Sequence, residues 1–166
     1  MIKKIMIILI FFIILVFSLF STSSFKQHIV VTPNNHTKQA IQIEKDKYKD
    51  RFCNMSISDI SYSAQAILEN GDTLFFDDIG CLVLWEKDQK NKANIVLWVY
   101  AKDKQKYINA KKAWYRVDEL SPMRYGFGAY SKKQDKRIDF ETMKKNMLSQ
   151  TTMANPKVRK HILGSN

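Results

Sequence analysis

The feature that most limits what this chain can fold into is its beginning. Residues 5–20, IMIILIFFIILVFSLF, are apolar apart from Ser18 and carry no charge. A helix that is apolar all round has no side to turn toward water, so a soluble domain gives it no natural place on its surface. Lys3 and Lys4 precede the run, and Ser21, Thr22, Ser23 and Ser24 follow it. Basic end, apolar middle and small-residue exit are the layout of an export signal. A run of about 16 residues falls between an ordinary signal core and the roughly 20 residues that span a bilayer. Residues 1–24 are therefore read as a signal peptide or an N-terminal membrane anchor. The lysines hold their end in the cytoplasm and send the rest across. The protein is expected in the periplasm, tethered to the cytoplasmic membrane by this segment, or released there if the segment is cleaved.

What remains of the 166 residues suffices for one domain with a core of its own. Residues 25–50 are mostly polar, with Pro33, Asn34 and Asn35 in their middle, and read as a tether. Patterned sequence begins at Arg51 and continues to about residue 150. Residues 151–166, TTMANPKVRKHILGSN, read as a basic flexible tail. The formal net charge is +11, yet Lys102, Lys104, Lys106, Lys111 and Lys112 are spread along the chain rather than gathered in one arm. A nucleic-acid partner is therefore not expected, and an exported protein would not meet one. The charge is compatible with an acidic partner or a membrane surface.

Within residues 51–150, YSAQAILENGDTLFF places two strand-like runs around Asn70-Gly71, a dipeptide suited to a tight hairpin turn. DDIGCLVLW then opens on two acids that suit a helix N-terminus, and NIVLWVY reads as a buried strand. The second half echoes this order. INAKKAWYRV reads as extended, YGFGAYSKKQDKRIDF as a hairpin with a longer charged turn, and DFETMKKNMLSQ as another acid-started helix. Laying Ala64 on Gly126 puts Phe76 over Ile138 and Asp77 over Asp139, a repeat of about 62 residues. The expected fold class is α+β, one domain built from two related halves, each a small sheet covered by a helix.

Two cysteines, Cys53 and Cys81, are present. In an oxidising compartment they could form a disulfide closing a loop of about 28 residues, worth about 3 kcal/mol. Alternatively Cys53 stays a thiol and acts with Met55. Residues two apart in an extended segment share a side, so both sulfurs can reach one ion. Cuprous ion is soft and prefers thiolate and thioether donors, whereas zinc favours sets of four Cys and His. No such set exists here, because His28, His36 and His161 all lie in the tether or the tail. Core packing is the other use of such a pair. Cys81, inside the predicted helix, reads as a small buried thiol, and Asp77 and Asp78 as helix caps.

The stretches CNMSISDISYSAQAILENGDTLFFDDIGCLVLW, WVYAKDKQKYINAKKAWY and SPMRYGFGAY occur in the order found in the NosL family, copper-handling accessory proteins of nitrous oxide reductase maturation, which residues 51–132 resemble. The most specific elements are the C-x-M, the FDDIG helix start, and PM followed by YGF. The resemblance implies a NosL/MerB-like domain of two ββαβ halves, a fold shared with organomercurial lyases. It implies a Cu(I)-binding metallochaperone rather than an enzyme, delivering copper to nitrous oxide reductase through an ABC-type membrane assembly. Carried over by motif, the ligands fall on Cys53, Met55 and Met123. The chain departs from the family in having no cysteine at the end of its leader, where many members carry a lipid. Two alternatives stay open at this stage: an organomercurial-lyase-like enzyme using Cys53, Cys81 and Asp77, or a copper carrier for another periplasmic oxidase or reductase.

Overall fold

The computed structural model describes residues 2–21 and 28–164. The apolar run forms helix α1 (Ile2–Ser21). Its side chains from Ile5 to Phe17 are exposed, so that stretch takes no part in the domain core. Among the described residues no helix is long and apolar enough to cross a membrane. The small-residue exit at Thr22, Ser23 and Ser24 lies outside the described residues.

The first half follows the expected order. Strands β2 (Ala64–Ile67) and β3 (Thr73–Phe76) form an antiparallel hairpin, helix α2 (Ile79–Glu86) follows, and β4 (Val96–Ala101) returns beside β2. At the turn, Gly71 takes a φ of +91°, the left-handed region that glycine enters without cost. β1 (Val31–Thr32) pairs with β3, and β5 (Lys106–Asn109) with β4. The resulting five-stranded sheet has the order β1-β3-β2-β4-β5.

Successive strand residues point to opposite faces, and both faces of β3 are covered. Leu74 and Phe76 join the main core with Leu82, Val83 and Leu97, while Phe75 joins a second cluster with Ile43, Tyr48 and Ile57. This second cluster changes the reading of residues 25–50. Their described part is docked against the sheet and is not a free tether. Gln65, fully buried, donates to the Ile41 carbonyl at 2.6 Å and accepts from the Ile41 N–H at 2.9 Å. Trp98 Nε1 donates to the Lys38 carbonyl, and Asn35 Nδ2 to Thr73 Oγ1. Each of these bonds satisfies a polar group that burial would otherwise strand.

The second half is smaller than expected. β6 (Trp114–Arg116) pairs with β7 (Gly128–Tyr130) in a two-stranded sheet, and Ile138 bridges to Tyr115 on the other side of β6. The expected hairpin within residues 125–140 is thus not a direct pairing, because β6 lies between its two arms. Helix α3 (Phe140–Leu148) follows, and among the described residues no strand completes a second ββαβ unit. The repeat persists in the helices. Asp78 caps α2 through Gly80 N, and Asp139 caps α3 through Thr142 N. A half-buried Lys144–Glu86 ion pair at 2.6 Å ties α3 to α2. Residues 151–166, expected to be flexible, contain helix α4 (Pro156–Gly164), while Ser165 and Asn166 lie outside the described residues.

Candidate metal centre

The site is built around one short loop. Asp50 N–H donates to the Met55 carbonyl at 2.8 Å and Asn54 N–H to the Asp50 carbonyl at 3.0 Å, so residues 50–55 double back on themselves. Asn54 makes the reversal by adopting φ +63°, which Asn tolerates better than most side chains. Arg51 N–H donates to the Phe75 carbonyl at 2.8 Å and fixes the loop to β3.

Asp50 organises the interior. Its Oδ1 accepts from Phe52 N at 2.6 Å and Cys53 N at 2.9 Å, and its Oδ2 accepts from Asp77 N at 2.8 Å. One carboxylate therefore binds the loop to the junction between β3 and α2. There Asp78 caps the helix, while Asp77, expected as a second cap, faces the loop instead. Cys53 Sγ lies 3.8 Å from Asp77 Oδ1, the thiol donating. Cys81, in the first turn of α2, completes the cluster. One donor atom each from Asp50, Cys53, Asp77 and Cys81 lie within 4.8 Å of one another, an arrangement that could hold a metal ion.

Electrostatics follow from burial. Asp50, Asp77 and Cys81 are buried and Cys53 is half-buried, so the cluster is closed below and open at one thiol. Both thiols are free. Desolvation pushes the Cys53 thiol up to about 11, with the Asp50 and Asp77 charges adding to the shift. Cys81, more deeply placed among the same acids, is pushed higher still. Burial and the neighbouring Asp50 carboxylate raise Asp77 to about 8, so at neutral pH its carboxyl holds a proton. Burial likewise raises Asp78, to about 6, against the hydrogen bonds it accepts. In a chain of net charge +11, this is a local concentration of acids around sulfur.

The second loop adjoins the first through Asp78. Asp78 Oδ2 accepts from Met123 N at 3.3 Å, and Ser121 Oγ, which touches the same carboxylate, accepts from Gly126 N at 3.2 Å. Arg124 N–H donates to the Ser121 carbonyl at 2.8 Å, and Arg124 takes φ +58°. Both loops thus place a left-handed residue immediately after a sulfur-bearing one, Asn54 after Cys53 and Arg124 after Met123.

The three sequence-predicted ligands fare differently. Cys53 sits in the cluster. Met123 is half-buried against the main core, as Cys53 is, and its backbone is tied to the residue beside Asp77. Met55 is 47% exposed on the loop, with Phe52, 46% exposed, on the other side of Cys53. Among the described residues the histidines stand apart from the cluster. His28, for example, bonds Ser56 through its Nε2 at 3.2 Å.

One participant, Asp50, escaped sequence reasoning, and another, Cys81, was joined to Cys53 and Asp77 only in the lyase alternative. Cys81 is buried as expected, but beside Cys53 and Asp77 rather than in purely apolar surroundings. Asp50 was assigned to the end of the tether. The available signal was its position three residues before Cys53, where an Asp side chain readily caps the following N–H groups.

No family model matches the chain, and no curated protein matches it by sequence. Among solved structures, the crystal structure of the copper chaperone NosL from Shewanella denitrificans is similar at TM-score 0.49 and 19% sequence identity, over 66% of this chain and 87% of that one. A likeness at that level transfers no site from one chain to the other.

Proposed function

We propose that this protein is an extracytoplasmic Cu(I) carrier in which Cys53 is the primary ligand and Met55 and Met123 supply thioether donors. The supporting observation is the placing of Cys53. It is the half-exposed member of an otherwise buried acid and thiol cluster, so an ion bound to it stays within reach of solvent and of a recipient. Soft sulfur donors suit a monovalent copper ion, and few donors suit its transfer. In this reading α1 serves as signal or anchor and keeps the domain at the outer face of the cytoplasmic membrane. The recipient is nitrous oxide reductase, reached through an ABC-type membrane assembly.

The test is Cu(I) uptake by the reduced full chain in competition with a chromogenic Cu(I) chelator. One equivalent is expected. Cys53→Ser should weaken uptake at least 100-fold, and Met55→Leu or Met123→Leu about tenfold each. Unchanged affinity in Cys53→Ser would overturn the proposal.

A second reading is favoured by one observation, the meeting of two thiols with an acid that keeps its proton at neutral pH. Organomercurial-lyase-like chemistry needs that set. The acid protonates the carbon released from mercury while the metal passes to the sulfurs. An assay for carbon–mercury cleavage separates the readings, since a carrier shows none.

A further inference from the structure

The quartet of Asp50, Cys53, Asp77 and Cys81 has a donor chemistry that a purely cuprous site would not use. Two of its four atoms are carboxylate oxygens, which Cu(I) avoids. Calcium and magnesium are ill served too, because they require six or more oxygens or a shell of retained waters. A borderline divalent ion of the zinc type accepts thiolate sulfur and carboxylate oxygen together, in a tetrahedron.

The dimensions agree. With zinc bonds of about 2.3 Å to sulfur and 2.0–2.2 Å to oxygen, ligand atoms around a tetrahedral ion lie about 3.3–3.8 Å apart. Cys53 Sγ and Asp77 Oδ1 are 3.8 Å apart, and all four donors lie within 4.8 Å. A contraction of about 1 Å closes the shell.

A second observation points to a ligand independently. Asp77 is 2% exposed, and its Oδ2 has no hydrogen-bond partner. A buried polar oxygen left unpaired, protonated or not, costs about 1–3 kcal/mol, and native structures seldom carry that cost without a use for the atom. Coordination provides one. Asp50 is already oriented by three backbone N–H groups, as a ligand carboxylate needs to be.

We propose that Asp50, Cys53, Asp77 and Cys81 form a closed two-sulfur, two-oxygen site for a divalent thiophilic cation of the zinc class. The site goes beyond the copper reading and does not depend on it. Cys53 is common to both, so a divalent ion and Cu(I) exclude each other, and release of one frees the thiol for the other.

Cd(II) and Zn(II) titration of the reduced full chain tests the proposal. Cadmium reports through its ultraviolet thiolate charge-transfer band, and zinc through displacement of that cadmium. One Cd(II) per chain, displaced by one Zn(II), is expected. Cys81→Ser should halve the band and weaken binding at least 100-fold. Asp77→Asn should weaken binding at least tenfold with the band intact, and Met55→Leu and Met123→Leu should change nothing. Wild-type affinity in both Cys81→Ser and Asp77→Asn, or no stoichiometric uptake by the parent chain, would overturn it. Should Cys81→Ser not fold, the cadmium-113 resonance of the parent chain decides. A two-sulfur shift is expected, and a shift showing a single sulfur overturns the proposal. Loss of Cu(I) uptake with Cd(II) uptake intact would count against the copper reading alone, and the converse against this proposal alone.

Discussion

Tyr125 packs directly against Gly80. A Cβ added at Gly80 would stand 2.3 Å from Tyr125 Cδ2 and 2.9 Å from its Cε2. The contact joins the FDDIG segment to the PMRYG segment, so two motifs far apart in sequence are one packing unit. It also seats the loop bearing Met123 on the helix bearing Cys81. Gly80→Ala should therefore cost about 1–3 kcal/mol through overpacking and displace the Met123 loop. Thermal unfolding measures the first effect and Cu(I) affinity the second. Adding Tyr125→Ala should return part of the lost stability, because the two changes share one contact.

The raised acids make the metal-free domain sensitive to alkali. Below pH about 4, Asp77 is protonated whether the chain is folded or not, and it contributes nothing to the pH dependence. Between its ordinary value of 3.8 and its folded value of about 8, the unfolded chain gives up a proton that the folded chain keeps, so stability falls as pH rises. Asp78 adds to the same trend between 3.8 and about 6. The depressed acids Asp103, Asp118 and Asp139 act in the opposite direction, but only at or below their ordinary range. With chelator present, the melting temperature should fall by several degrees from pH 5 to pH 8. Asp77→Asn should flatten the fall, and an unchanged slope in that variant would refute the assignment.

What the sequence disclosed depended on whether a signal was local. The Asn70-Gly71 turn, the Asp78 and Asp139 caps and strand β4 are each written in a few neighbouring residues, and they were legible. Cys53 was legible as a ligand candidate for the same reason. Residues 28–50 were not, because what holds them is remote. Gln65 binds the backbone of Ile41, and nothing near either residue announces the other. Asp50 escaped for the same cause. It looks ordinary in its own segment, and only the β3–α2 junction brings it beside Cys81, which was joined to Cys53 and Asp77 only in the lyase alternative. The second half was over-read, since a charged turn between two short runs suggested a hairpin, whereas β6 pairs with both runs and lies between them.

The two halves are bound by a charge pair whose removal is costly. Glu86, with its side chain 3% exposed, meets Lys144 Nζ at 2.6 Å. Lys144→Met would leave that carboxylate buried and uncompensated, at a cost of about 3 kcal/mol. The double variant Lys144→Met with Glu86→Leu removes both charges and should recover most of the loss. Chemical denaturation of the single and double variants gives the coupling directly. Equal losses in the two would show that packing, and not charge, holds α3 on α2.

Metal affinity should rise with pH, at a slope that counts the thiolates engaged. Cys53 titrates near 11 and Cys81 higher, so throughout pH 6–8 both are protonated in the metal-free protein. Each thiol that becomes a ligand must release its proton, and each proton released makes the association constant about tenfold larger per pH unit. Asp77, protonated below about 8, adds a further proton when it coordinates. Cu(I) bound by Cys53 and thioethers should follow a single tenfold step per unit. A divalent ion in the full quartet should follow at least a hundredfold step, reduced to about tenfold by combining Cys81→Ser with Asp77→Asn. Competition titrations at pH 6, 7 and 8 with a chelator of known protonation measure both slopes. A pH-independent Cu(I) affinity would mean that Cys53 is not a ligand at all.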